Sequence, residues 1–153
     1  RTLFPYTTLF RSACVDAVKL LSTQDADLLV VGNSDSPMFP KELLPFTTRK
    51  TFGKGGMRIN FLVNYGWEWD LSNLDQNKSS KRSNIINCIK TKDVSRVDLI
   101  IRWGGRNRLS GFLPIQSIYS DFYVINDFWP DFKPEHLTNA LNWYNQQDIT
   151  LGG

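Results

Sequence analysis

The segment RWGGRNRLS, which starts at Arg102, concentrates groups that bind anions. Arg102 and Arg108 can each hold phosphate oxygens with two parallel, charge-assisted hydrogen bonds. Gly104 and Gly105 have no Cβ, so a ligand can approach their backbone N–H groups closely. Ser110 adds a hydroxyl group and precedes a segment with helical spacing, whose start would favour negative charge. Together these residues predict a pyrophosphate site, and a surface turn with solvated arginines is the alternative.

The apolar run VDLIIR at 97–102 must position this segment. As a buried parallel strand, it would end where Arg-x-Gly-Gly begins, at the edge where open α/β sheets bind ligands. Helix-like and strand-like patterns alternate along the chain from residue 13 onward. This alternation predicts an α/β fold with a mainly parallel sheet flanked by helices.

The alternation also predicts individual elements. Apolar, β-branched and aromatic runs predict strands at 27–33, 57–66, 97–102 and 122–126. Helical spacing predicts helices at 14–22, 84–90, 112–119 and 133–147. Prolines leave at most a short helix between the first two strands, and Pro134 marks the start of the last helix. The polar segment 73–84 predicts a solvated helix or loop, with a basic binding patch as the alternative.

Composition narrows the possible functions. The chain has 153 residues, 41% of them hydrophobic and 22% charged, which is typical of one globular domain. No apolar run approaches the roughly 20 residues of a membrane span, and no signal peptide is evident, so we expect a cytoplasmic protein. Cys14, Cys88 and His136 lack the spacing of zinc or thiol motifs, and we expect His136 to be a surface residue without a role.

The first residues differ from the rest. The segment TLFPYTTLFRS at 2–12 has no periodicity and resembles the translation of a common sequencing adapter. We therefore expect residues 1–12 to be non-native and the domain to span 13–153. Without Arg1 and Arg11 the basic count falls from 18 to 16 against 15 acidic residues, so the net charge falls from +3 to +1. That removes the support for nucleic acid as a partner.

A longer run extends the interpretation. The sequence from Val97 to Leu141 resembles the carboxyl-terminal signature of the cis-prenyltransferase, or undecaprenyl diphosphate synthase, family. The family's Asp-Leu-x-Ile-Arg-x-Gly-Gly-x-x-Arg-x-Ser run corresponds to 98–110. Its Tyr-x-Glu-x-Tyr and Trp-Pro-Asp-Phe elements correspond to YSDFY at 119–123 and WPDF at 129–132. INFLVNYGWEWDL likewise resembles the family's strand that ends in Asn-Tyr-Gly-Gly-Arg-x-Asp.

The resemblance implies the carboxyl-terminal part of an undecaprenyl diphosphate synthase-like fold. It implies a transferase that joins isopentenyl diphosphate to an allylic diphosphate and leaves a new cis double bond. The substrate-binding residues that it implies are Arg102, Gly104, Gly105, Arg108, Ser110 and Asn64. Asp121 stands where the family has a glutamate that helps to ligate Mg²⁺, through the partner subunit of an expected homodimer. Contact with membranes is expected to be at most peripheral, through the product.

Departures from the family pattern leave alternatives open. The family's Asp-Gly-Asn-Gly-Arg-Trp-Ala loop, which carries the catalytic aspartate, is absent. We therefore assign no catalytic residue and expect this fragment alone to be inactive. Trp67, Glu68, Trp103 and Arg106 replace customary residues, as in a divergent synthase of short, branched or cyclised products. A non-catalytic subunit of a heteromeric prenyltransferase is another alternative. A generic nucleotide-binding domain is a weak alternative, because the sequence lacks the glycine-rich turn that such a domain has after its first strand.

Overall fold

The computed structural model describes residues 4–74 and 82–148. The chain divides into two compact units, Arg1–Lys92 and Asp93–Gly153. The first unit contains α1 (Phe4–Leu21), β1 (Ala26–Val31), a 3-10 helical segment (Lys41–Phe46), β2 (Lys50–Phe52), β3 (Met57–Leu62), α2 (Trp67–Asp70) and α3 (Arg82–Cys88). The second unit contains β4 (Leu99–Trp103), β5 (Asp121–Ile125), a 3-10 helical segment (Trp129–Asp131) and α4 (Pro134–Tyr144).

Strand β1 is the centre of a three-stranded sheet in the first unit. Its sequence ADLLVV is buried at every position except Asp27, as expected for a strand covered on both faces. β3 pairs with it in parallel and β2 pairs antiparallel along its other edge. The core around this sheet consists of Cys14, Val18, Ala26, Leu28, Val30, Phe39, Leu43 and Val63. Burial raises the pKa of the Cys14 thiol, which keeps this core residue protonated.

Gly32 lets the carboxyl ends of β1 and β3 approach each other. A Cβ at this position would overlap the carbonyl oxygen of Val63, which no side chain could accommodate. The Val63 N–H donates to the Val31 carbonyl at 3.0 Å and so continues the parallel pairing beyond β3. The loop after β3 is therefore held against the end of β1.

Strands β4 and β5 form a two-stranded parallel sheet in the second unit. Their register runs from Leu99 opposite Asp121 to Trp103 opposite Ile125. With the parallel β1–β3 pair and the helices, this pairing confirms the predicted α/β class. The expected full burial of the strand at 97–102 is wrong, because every residue of β4 is only half-buried. A sheet of two strands offers too few neighbours to cover its own faces.

The segment between β4 and β5 also differs from prediction. Residues 111–119 form successive turns, and the helix expected at 112–119 is wrong. Leu113 precedes Pro114, and proline disfavours helical backbone angles in the residue before it. The φ of Leu113 is 40°, which lies outside the helical region. By contrast, α4 begins at Pro134 as predicted, because a proline at the first helical position loses no backbone hydrogen bond.

The remaining predicted helices and strands agree only in part with the structure. The helix predicted at 14–22 is confirmed as the end of α1, which also includes residues 4–12 of the adapter-like segment. The strand expected at 57–66 ends at Leu62, and β2 and α2 are too short to show periodicity in sequence. Most of the polar segment 73–84 lies outside the described residues. No described helix has both the length and the apolar content that a membrane crossing requires.

A buried carboxylate ties α2 to the segment after α3. Asp70 is fully buried, and its Oδ1 accepts hydrogen bonds from the backbone N–H and the hydroxyl group of Thr91, each at 2.9 Å. Its Oδ2 accepts a hydrogen bond from the Tyr65 hydroxyl at 3.0 Å. Such donors offset the cost of burying a charged group. Asp70 therefore acts as a structural anchor of the first unit.

Replacing this carboxylate tests the anchor. Asp70→Asn should lower the free energy of unfolding by about 1–3 kcal/mol, because an amide NH₂ would face hydrogen-bond donors. Urea denaturation followed by circular dichroism measures the change. Asp35→Asn is the matched control, since Asp35 is an exposed carboxylate and its change should stay within about 0.5 kcal/mol. Equal effects of the two substitutions would contradict the role given to Asp70.

Candidate functional site

Arg102 and Ser110 meet at the carboxyl end of β4. Arg102 lies opposite Val124 of β5, and both of its terminal guanidinium nitrogens lie 3.3 Å from the Ser110 hydroxyl oxygen. The N–H groups of the arginine donate and the hydroxyl oxygen accepts. The chain therefore turns back within eight residues to place a hydroxyl group against a cation. Both groups are available to an anion, because Arg102 is half-buried and Ser110 is exposed.

These two side chains open into a cavity of about 290 Å³. This volume lies near the lower end of small-molecule sites. The cavity is lined by Ile100, Ile101, Arg102, Leu109, Ser110, Phe112 and Phe122. One cationic fork and one hydroxyl group are thus set in an otherwise apolar wall.

Arg108 does not share this cavity. It lines a neighbouring cavity of about 420 Å³ together with Asn107, Ser117 and Ser120. Leu109 borders both cavities, as do two residues of the strand pair. The structure therefore brings Arg102 and Ser110 together and leaves Arg108 beside the adjacent cavity.

The two glycines after β4 use their backbone amides within the protein. Gly104 and Gly105 have φ values of 87° and 64°, in the left-handed region that favours glycine. The Gly104 N–H donates to the carbonyl of Asp127 at 2.8 Å, and the Gly105 N–H donates to the carbonyl of Ile125 at 3.0 Å. These amides hold the loop against the end of β5, so the expected anion cradle is not formed by them here.

Ser110 also differs from expectation in its backbone. No helix starts at this residue, because turns follow it as far as residue 119. Its φ of 53° is unusual for a residue other than glycine. The expected contribution of a helix start is therefore wrong, and the hydroxyl group of Ser110 is what faces the cavity. Backbone strain of this kind concentrates at functional sites.

Asn64 lies in the first unit, just after β3. Its φ is 53°, and its side-chain amide donates to the carbonyl of Asn33 at 2.9 Å. The Asn33 N–H donates in return to the Asn64 carbonyl at 3.2 Å. Asn64 thus joins the loops that follow β1 and β3, and a role in substrate binding stays a prediction.

Asp121 is the first residue of β5 and lies opposite Leu99. Arg102 is three positions further along the paired strands, which corresponds to about 10 Å. The predicted metal ligand and the arginine therefore lie at opposite ends of one strand pair. Within residues 4–74 and 82–148, no three histidine, cysteine, aspartate or glutamate side chains come together as a metal site.

His136 is the residue that the sequence analysis missed. Its side chain is 13% exposed and its Nε2 lies 3.1 Å from the Asp127 carboxylate. The indole N–H of Trp103 donates to its Nδ1 at 3.3 Å. The expectation of a surface side chain is wrong, because the loop after β5 and the residue after Arg102 both contact the imidazole. In the sequence, only the position of Trp103 next to Arg102 indicated that a partner of this tryptophan could lie near the site.

Comparisons with known proteins agree with this fold. The crystal structure of lavandulyl diphosphate synthase from Lavandula x intermedia, in complex with dimethylallyl diphosphate, has a TM-score of 0.78 at 20% sequence identity. The match covers 98% of this chain and 72% of that protein. At this level of identity the likeness establishes the fold.

Curated relatives carry the name ditrans,polycis-undecaprenyl-diphosphate synthase ((2E,6E)-farnesyl-diphosphate specific). The relative from Vibrio parahaemolyticus is 28% identical over 94% of this chain and 62% of its own length. The relative from Buchnera aphidicola is 30% identical over 95% of this chain and 63% of its own length. The chain thus spans less than two thirds of each of these relatives. The prenyltransferase family model described as undecaprenyl diphosphate synthase matches residues 4–152, and the chain therefore belongs to the undecaprenyl diphosphate synthase family.

Proposed function

We propose that this chain carries the isopentenyl diphosphate site of a cis-prenyltransferase, which joins that substrate to an allylic diphosphate. The observation that carries the proposal is the meeting of Arg102 and Ser110 in one cavity at the end of β4. The names of the curated relatives support farnesyl diphosphate as the allylic substrate.

The cavity suits a small prenyl diphosphate because it has a polar end and an apolar wall. The Arg102 guanidinium can donate two parallel hydrogen bonds to diphosphate oxygens, and the Ser110 hydroxyl can donate a third. Ile100 and Phe122 offer apolar surface to a short hydrocarbon chain. Holding isopentenyl diphosphate here would present its double bond to the allylic carbon, and such orientation lowers the barrier.

The chemistry places charge on a departing pyrophosphate. The allylic C–O bond breaks and its electrons leave with the pyrophosphate; the alkene carbon of isopentenyl diphosphate forms the new C–C bond and a proton is then lost. Asp121 would supply oxygen ligands that suit Mg²⁺, an ion that takes most of its remaining ligands from phosphate oxygens and water. The bound ion would neutralise the charge on the leaving group.

Assembly and location belong to the same proposal. The resemblance supports a homodimer in which Asp121 serves the partner's site, a cytoplasmic location, and peripheral contact with membranes through the product. We also propose that residues 13–153 are a truncated domain and that residues 1–12 are non-native.

A non-catalytic subunit is the second candidate function. Arg108 lines a different cavity from Arg102, and the amides of Gly104 and Gly105 are occupied. A subunit that contributes contacts without chemistry could tolerate such an incomplete diphosphate site. Recovery of the upstream coding sequence distinguishes the two candidates, since a catalytic chain needs the aspartate loop and a silent subunit does not.

Removing the cation should separate a specific site from general attraction. Arg102→Met should weaken binding of inorganic pyrophosphate about 10- to 100-fold, because charge-assisted hydrogen bonds are lost. Isothermal titration calorimetry on the full chain measures the dissociation constant. Arg106→Met removes an equal charge from the same loop at an exposed position and should cost less than about threefold. Similar losses in both variants would refute a specific role for Arg102.

Two substitutions of Ser110 should differ in their effect on stability and agree in their effect on binding. Ser110→Gly removes the strain of the left-handed backbone at this position, whereas Ser110→Ala keeps that strain. The glycine variant should therefore be more stable than the alanine variant by about 1 kcal/mol. Both variants lose the hydroxyl group and should bind pyrophosphate about three- to tenfold more weakly. Urea denaturation and calorimetry measure the two effects. Unchanged pyrophosphate affinity in both variants would exclude the hydroxyl group from the site.

The purified chain should not turn over substrate. With isopentenyl diphosphate, farnesyl diphosphate and Mg²⁺ present, we expect no radiolabelled prenyl product above background. The physical reason is that the sequence lacks the family's Asp-Gly-Asn-Gly-Arg-Trp-Ala loop, which grips the allylic pyrophosphate. A full-length curated relative serves as the positive control. Measurable turnover by the 153-residue chain would contradict the proposal that it is an inactive fragment.

A further inference from the structure

His136 connects the last residue of β4 with the loop that follows β5. Its Nε2 faces the Asp127 carboxylate at 3.1 Å on the loop after β5. Its Nδ1 accepts one hydrogen bond from the Trp103 indole N–H and one from the backbone N–H of Lys133, each at 3.3 Å. Both ring nitrogens of a largely buried side chain are therefore engaged.

These contacts fix the position of the ring proton. Two N–H donors face Nδ1, so this nitrogen must present its lone pair. The ring proton then lies on Nε2, which faces the Asp127 carboxylate at 3.1 Å. Each nitrogen of His136 thus has a different task, and the two tasks can be removed separately.

The imidazole contacts the strand that carries Arg102. Trp103 follows Arg102 directly, and its side chain is held by His136. Asp127 is held by His136 through its carboxylate and accepts the Gly104 N–H through its carbonyl at 2.8 Å. Arg102 is therefore followed by two residues that are held in place: Trp103 by its side-chain contact with His136, and Gly104 by its main-chain contact with Asp127. Loops fixed in this way position the groups they carry.

Aromatic packing restricts the Trp103 side chain further. The Trp103 and Trp129 rings meet edge to face, with centroids 4.7 Å apart and planes at 89°. Phe132 lies 5.9 Å from Trp103 and 6.2 Å from His136. These distances are those of favourable aromatic pairs. The indole N–H can therefore stay directed at His136 while Arg102 is directed at Ser110.

We propose that His136 is a positioning residue for diphosphate binding, which acts through Trp103 and Asp127 to hold Arg102 against Ser110. The inference rests on the proposed diphosphate site. It adds a residue that belongs to none of the motifs carrying the family resemblance.

Two substitutions separate the tasks of the ring nitrogens. His136→Asn keeps an acceptor near the position of Nδ1 and loses the contact with Asp127. His136→Gln carries its amide to the position of Nε2 and loses the acceptor for Trp103. Each should weaken binding of inorganic pyrophosphate to the full chain about three- to tenfold, with little change in melting temperature. Asn139→Ala, at an exposed position of the same helix, is the control and should bind like the unsubstituted chain.

Trp103→Phe provides the matching change on the other side of the hydrogen bond. It should weaken pyrophosphate binding as much as His136→Gln does. The double variant should be no weaker than either single variant, because both delete the same hydrogen bond. His136 is the only histidine, so ¹⁵N-histidine labelling gives two ring signals without ambiguity. We expect the spectrum of a ring protonated at Nε2, with the Nδ1 signal shifted in Trp103→Phe.

The outcomes distinguish this inference from the proposed function. If the unsubstituted chain does not bind pyrophosphate, the diphosphate site fails and the positioning role falls with it. If it binds and the His136 and Trp103 variants bind equally well, the positioning role alone is overturned. Should the His136 variants not fold, Trp103→Phe and the labelled spectrum decide. A ring protonated at Nδ1, or full affinity in Trp103→Phe, would then overturn the role.

Discussion

The parallel pairing of β4 with β5 determines where the groups of the candidate site lie. Both strands leave the sheet at one edge, and the Gly104 N–H bonded to the Asp127 carbonyl extends the pairing into the loops. Arg102 lies at this edge, whereas Asp121 lies at the opposite end of the same pair. This separation within one chain is consistent with the proposal that two chains share a site.

The sequence predicted what short-range pattern and residue chemistry determine. The approach of Ser110 to Arg102, the parallel pairing and the start of α4 at Pro134 follow from motif spacing, apolar runs and proline sterics. The contacts of His136 were missed because its partner Trp103 is 33 residues away in the chain. Contacts of that range depend on how loops fold back, and no local periodicity records them.

Backbone conformation was the second source of error. Asn64, Ser110 and Leu113 have positive φ values, although none of them is glycine. Their residue types do not announce such conformations, and surrounding contacts must impose them. The positive φ of Leu113 is incompatible with the helix expected at 112–119. The backbone N–H groups of Gly104 and Gly105 bind carbonyls of the protein and so do not form the expected anion cradle. Loop geometry was thus the feature that residue type and spacing predicted least.

The perpendicular contact between Trp103 and Trp129 has a consequence for light absorption. Two indole groups at 4.7 Å are close enough for their electronic transitions to couple, and the sign and size of that coupling depend on their mutual angle. Because one of the two chromophores directly follows Arg102, the molecule contains an intrinsic optical reporter of how this loop is arranged.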